Sequence, residues 1–232
     1  MRQKVTFFNF RVIFWTAVLA SAFFWSLVLL DKAMQGMKSQ TQRIAASHLF
    51  LALITLLILA LLPGGGLANW GLNFKNWSKN LVSGLILGIS VGVLFSLFSY
   101  GWSISSWHFS QLAAQLHKTE TLIMLFSQLL LVGTSEELFF RGLLTTWLMK
   151  CYPSRLAGLS VGVVIVAILF ALVQFYKLLF GFPMGKVLIF MLGALFYGLL
   201  LGGIYQKTKS LLAPVIIHNL ANSVMFLAGL GI

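Results

Sequence analysis

The chain has 232 residues, of which 59% are hydrophobic and only 9% charged, with 16 basic residues against four acidic ones and a net charge of +12. So little charge cannot cover a soluble domain of this size, and a mean hydropathy of +0.97 points to a polytopic membrane protein. The basic residues lie mostly between apolar runs, where they anchor loops to anionic headgroups; no polar face gathers them, so membrane lipids are the expected partner and nucleic acid is excluded.

Seven apolar runs reach spanning length, at about 12–30, 45–62, 81–101, 121–149, 156–175, 187–205 and 210–230. The expected fold is therefore an all-α membrane helix bundle of about seven helices, or eight if one span is split, in a single membrane domain covering 1–232. The first run follows Arg2, Lys4 and Arg11 and contains Ala20-Ser21-Ala22, as a signal peptide would. It continues to Leu30, and about 19 apolar residues suit an uncleaved first helix better. The second run stops at Pro63-Gly64-Gly65-Gly66. The fourth is the longest and is expected to project past the hydrocarbon, tilt, or bend near the charges it carries. The stretch 150–155, with Pro153, reads as a tight turn or an interfacial elbow. Cys151, the sole cysteine, rules out a disulfide framework and reads as an incidental interfacial thiol.

Small residues recur four apart, at Gly158 and Gly162 in the fifth run and at Gly198 and Gly202 in the sixth, a spacing that lets helix backbones approach in lipid. No internal repeat relates the two halves, which counts against a transporter built from inverted repeats. Loop cations favour a cytoplasmic N-terminus. That orientation places nine (Arg2, Lys4, Arg11, Lys75, Lys79, Lys150, Arg155, Lys207, Lys209) inside and six (Lys32, Lys38, Arg43, Lys118, Lys177, Lys186) outside.

Two of the four acidic residues are adjacent inside the fourth run, in Thr134-Ser135-Glu136-Glu137-Leu138-Phe139-Phe140-Arg141. A carboxylate at the bilayer centre costs roughly 2.5–3.5 kcal/mol on insertion scales, so an intramembrane ionisable pair is a functional-site hypothesis. Glu137 and Arg141 are four apart and share a helix face, where they can pair. Glu136 points about 100° away and has no intrahelical partner. The division of labour is one compensated, orienting carboxylate and one free to face a cavity as general base. In the last run His218 and Asn222 share a face, and both can donate hydrogen bonds to a developing oxyanion. His48, His108 and His117 sit near run ends or in loops.

These motifs resemble those of the CAAX prenyl protease and bacteriocin-processing (CPBP, Abi) family of intramembrane glutamic proteases. The likeness rests on Glu136-Glu137-x-x-x-Arg141, then Phe170-Ala171-Leu172-Val173-Gln174, then His218-x-x-x-Asn222. The glycine-rich Phe196-Tyr197-Gly198 helix and the Ser210-Leu211-Leu212-Ala213-Pro214 entry add to it. It covers about 121–227, the family-like catalytic core, with 1–120 as variable N-terminal helices. The resemblance implies an intramembrane endopeptidase acting on a peptide or lipid-modified peptide. Glu136 would be the base, His218 and Asn222 the oxyanion donors, with Glu137, Arg141 and Gln174 in support. The middle motif departs from the family, which has histidine where this chain has Gln174. Glutamine can hold a water but cannot relay a proton. A weakened or silent relative, acting as a membrane scaffold or bacteriocin-immunity protein, is the alternative.

Counting 1.5 Å per residue from the cytoplasmic run ends puts Glu136 roughly 21 Å deep, His218 roughly 14 Å and Gln174 roughly 28 Å. Gln174 meets the others only if the fifth helix starts near Ser160, with 150–159 along the interface, and that start is expected. Other chemistries fail on inventory. Asp31 is the only aspartate, there is no His-Glu-x-x-His, and Gly158-Leu159-Ser160-Val161-Gly162 lacks the strand-turn-helix setting of a nucleophile elbow. Without a second histidine beside Glu136, Glu137 and His218, no metal or other cofactor is expected. A proton-coupled transporter using the two glutamates is a third reading. Short loops and small size lean towards a bacterial cytoplasmic membrane; the oligomeric state is left open.

Overall fold

The computed structural model describes residues 10–37, 39–62, 66–100 and 108–231. Among them are eight helices: α1 Phe10–Ala33, α2 Gln40–Leu61, α3 Trp77–Tyr100, α4 Phe109–Leu116, α5 Thr119–Cys151, α6 Val161–Val173, α7 Met184–Thr208 and α8 Leu212–Leu230. A 3-10 segment, Gln174–Phe180, prolongs α6. Six helices (α2, α3, α5, α6 with its extension, α7 and α8) are long and apolar enough to cross a membrane. The apolar part of α1, Phe14–Leu30, is shorter. The fold is thus the all-α membrane bundle that composition demands. Large apolar side chains such as Leu57, Ile89, Phe98, Ile189 and Phe196 stay exposed on its outside, as lipid contact permits. The Pro63-Gly64-Gly65 part of the second run's stop signal lies outside the described residues, but α2 ends just before it, at Leu61.

Two glycine ridges set the packing. On α3, Gly84, Gly88 and Gly92 are buried against α8, and a Cβ at each would come within 2.9 Å of Ile216, 2.8 Å of Leu220 and 2.7 Å of Val224. On α7, Gly198 sits against Ala167 and Gly202 against Val163 of α6. Gly162 packs on the backbone of Leu148 and Met149 in α5. Gly158 does not join it. Its φ of +83° places it in the turn of a two-residue hairpin, β1 Arg155–Leu156 against β2 Leu159–Ser160, where a side chain would meet open space. The expected Gly158–Gly162 helix pair is therefore corrected: the helix starts three residues too late to contain Gly158.

Ser160 sets that start, its hydroxyl accepting from Gly162 N at 3.2 Å. From Val161, Gln174 lies about 20 Å along α6, close to the roughly 22 Å that separates Glu136 from Cys151. The turn between α7 and α8 is pinned by Gly71, whose carbonyl accepts from Leu211 N at 2.8 Å. Gly71 has φ +91°, and a Cβ there would lie 2.6 Å from the Tyr205 ring. Pro214 falls in the first turn of α8, where its missing N–H costs no helical bond.

The fourth run forms one helix of 33 residues, widened twice. Ser127–Val132 and Leu138–Thr145 are π-helical, and the α-helical Gly133–Glu137 lies between them. Such widened turns are frequent at functional sites. Thr145 and Thr146 donate to the carbonyls five residues back, Phe140 O (2.8 Å) and Arg141 O (3.1 Å), and so help satisfy the second widened stretch. The core is centred here: Phe140, Leu144, Leu148, Val166, Leu201 and Ile217 are at most 2% exposed.

Candidate active site

Glu137 and Arg141 form the ion pair that their spacing predicts, Nη1 to Oε1 at 2.7 Å, with the side chains 0% and 1% exposed. The guanidinium also lies over the Phe170 ring, 4.9 Å from its centroid, and reaches Gly198 O at 3.5 Å. One α5 carboxylate is thus held by its own helix and watched over by α6 and α7.

Sequence spacing did not disclose that the same Glu137 oxygen also accepts from His218. Nδ1 lies 2.7 Å from Oε1, so the ring donates there and its Nε2 is turned elsewhere. Nε2 faces Glu136 Oε2 at 3.8 Å. Glu136 is 21% exposed at its side chain, whereas Glu137 is sealed. The two glutamates therefore differ as expected: Glu137 is the pinned partner and Glu136 the accessible one. With Nδ1 committed to Glu137, Nε2 is the His218 atom that faces Glu136.

Close approach of α5 and α8 makes this contact possible. A Cβ on Gly133 would come within 2.5 Å of Asn219 Oδ1 and 2.9 Å of His218 Cβ, so glycine is required there. Asn219 Nδ2 donates to Thr134 Oγ1 at 3.1 Å and bridges the same helices. Tyr197 of α7 packs edge-on against His218, with ring centroids 5.2 Å apart, and Phe170 does so at 6.2 Å. The Tyr197 hydroxyl, Glu137 Oε2 and Asn219 Oδ1 are buried without a hydrogen-bond partner among the described residues. Buried polar atoms are normally bonded, so these are candidates to meet a substrate.

Of the residues expected at the site, Glu136, Glu137, Arg141 and His218 converge. Asn222 lies one turn beyond His218, half-buried, with no hydrogen bond to a described residue. Gln174 is half-buried at the end of α6, one turn past Phe170, and likewise makes no hydrogen bond to a described residue. Lys177, three residues on, is within electrostatic reach of Glu136. No group of three or more His, Cys, Asp or Glu among the described residues is arranged to hold a metal.

Sequence reading missed Tyr197, Asn219 and Thr134, and it misplaced His48. α2 starts at Gln40, earlier than its apolar run, so His48 lies over two turns inside a helix and is 8% exposed. Its Nδ1 is 2.7 Å from Ser135 Oγ, next to Glu136.

The fold and this cluster define a multi-pass membrane protein with a buried, charge-compensated Glu-Glu-Arg-His centre. Residues 118–224 match the family model described as type II CAAX prenyl endopeptidase Rce1-like, so a little under half of the chain is similar to that family. That region holds every residue expected at the site, from Glu136 to Asn222. No curated protein and no solved structure matches the chain.

Proposed function

We propose that this protein is an intramembrane endopeptidase that hydrolyses a peptide bond with a glutamate-activated water. Its substrate is a membrane-associated or lipid-modified peptide. The observation that carries the reading is the asymmetry of the glutamate pair: Glu137 is fully buried and bonded to both Arg141 and His218, while Glu136 is partly accessible and faces His218 Nε2.

Glu136 is the general base. It takes a proton from water as the water oxygen bonds to the substrate carbonyl carbon. His218, oriented through Nδ1 by Glu137, turns Nε2 towards the developing oxyanion, and Asn222 supplies a second donor from the same helix. Arg141, paired with Glu137, gives the orienting carboxylate a fixed cation in an apolar surround. No step calls for a metal or another cofactor. The N-terminus is assigned to the cytoplasmic side on the loop cations.

Purified protein in liposomes, given farnesylated and unmodified peptides, tests this reading. Wild type should cleave and Glu136→Gln should lose about 100-fold or more in turnover. Equal turnover by the two sinks Glu136 as the base. A second reading is a family member that has kept the scaffold and lost catalysis. Gln174 favours it, because an amide does not cycle a proton. It predicts that Glu136→Gln leaves the cellular phenotype intact while bulky residues at Gly198 and Gly202 abolish it.

A further inference from the structure

The wall of the site that faces α2 lies outside residues 118–224, and it carries an imidazole. His48 is buried, and its Nδ1 lies 2.7 Å from Ser135 Oγ. That hydroxyl has one proton, and it is directed at Val132 O at 2.9 Å. With the hydroxyl proton on that carbonyl, the hydroxyl accepts from His48; Nδ1 then carries the ring proton and, in the neutral ring, the lone pair is on Nε2. No described residue hydrogen-bonds that Nε2.

Helix geometry then locates the ring relative to the base. Ser135, Glu136 and Glu137 follow one another at about 100° steps in the α-helical part of α5. Ser135 meets α2 through His48, and Glu137 meets α8 through His218. Glu136 points between these two directions, about 100° from each, with His218 Nε2 3.8 Å from its carboxylate. The two histidines are within electrostatic reach of each other. His218 has committed Nδ1 to a carboxylate, whereas His48 has committed Nδ1 to a neutral hydroxyl.

We propose that His48 is the proton-relay residue of this site. This deepens the peptidase reading and rests on it. In that reaction a C–O bond forms as water loses a proton to Glu136; the C–N bond then breaks and the departing nitrogen takes up a proton. His48 Nε2 accepts the proton from Glu136 and delivers it to that nitrogen, so the site ends each turnover with the protons it began with. Gln174 has no lone-pair nitrogen with which to do this. The relay comes instead from a helix that the family match does not cover.

The test is His48→Gln in the full-length protein, assayed beside Glu136→Gln. The glutamine amide can still donate to Ser135 but cannot cycle a proton. Turnover should fall about 100-fold. KM should stay within about threefold, since the loss is confined to the transition state. The unfolding midpoint should be unchanged, and Ser135→Ala should lose less than His48→Gln. A His48→Gln protein as fast as wild type, beside an inactive Glu136→Gln, overturns the relay and leaves the peptidase reading standing. A Glu136→Gln protein as fast as wild type overturns Glu136 as the base and the relay with it, whereas a wild type that cleaves no peptide overturns the peptidase reading itself. A second readout does not need turnover: nitrogen NMR of ring-labelled histidine in nanodiscs should find His48 protonated at Nδ1 and bare at Nε2, with its signals moving in Glu136→Gln. The opposite tautomer overturns the relay.

Discussion

Replacing Arg141 with methionine keeps most of the side-chain volume and removes the guanidinium from a pair whose members are 1% and 0% exposed, 2.7 Å apart. The carboxylate of Glu137 is then buried without its fixed cation. Stranding one member of a buried pair costs about 3–5 kcal/mol. His218 Nδ1 still donates to the same oxygen, so the lower end, about 3 kcal/mol, is expected. That is a factor of roughly 100 in the folding equilibrium. Glu137→Gln in the Arg141→Met background removes both charges and should return stability to within about 1 kcal/mol of wild type. Unfolding in mixed detergent micelles, followed by tryptophan fluorescence, gives the stabilities of wild type, the single variant and the double variant. A loss below about 1 kcal/mol for Arg141→Met refutes the reasoning, as does a double variant no more stable than the single one.

The glycine ridge of α3 should not tolerate bulk: Gly88→Val meets Leu220 and the Ile217 backbone, and a loss of about 1–3 kcal/mol is expected by the same unfolding assay. Gly158→Ala should serve as its control on packing, because its Cβ meets nothing; any loss there reflects the positive φ and should be about 1 kcal/mol. Tyr197→Phe removes a buried hydroxyl that has no hydrogen-bond partner among the described residues, so stability should hold or rise slightly while turnover falls, measured by melting and peptide cleavage side by side. Gln174→His should raise turnover if its side chain reaches the Glu136 water, and an unchanged rate would place position 174 outside the reaction.

Much of the bundle could be read from apolar run length alone, because a membrane leaves the chain few alternatives to helices. The pairing of Glu137 with Arg141, and the separate role of Glu136, followed from four-residue spacing on one helix. What spacing cannot convey is which helices touch. His218 binding Glu137, and Asn219 rather than Asn222 bridging to Thr134, are contacts between elements some 80 residues apart. His48 was misjudged for a local reason: α2 opens with the polar turn Gln40-Thr41-Gln42-Arg43, capped by Ser39, and an apolar run does not register such a turn as helix. The amphipathic α4 is eight residues long, too short to register as a span. The π-helical widening of α5 has no sequence signature of its own.

Cleavage in water enriched in oxygen-18 tests the central claim most directly, because it asks at once whether a peptide bond is broken and whether water breaks it. Peptide is incubated with reconstituted wild type or Glu136→Gln, and the new C-terminal carboxylate is weighed by mass spectrometry. Wild type should yield product with one heavy oxygen, and Glu136→Gln should yield almost none. Equal labelled product from both proteins would contradict Glu136 as the activating base, and product without heavy oxygen would contradict hydrolysis by water.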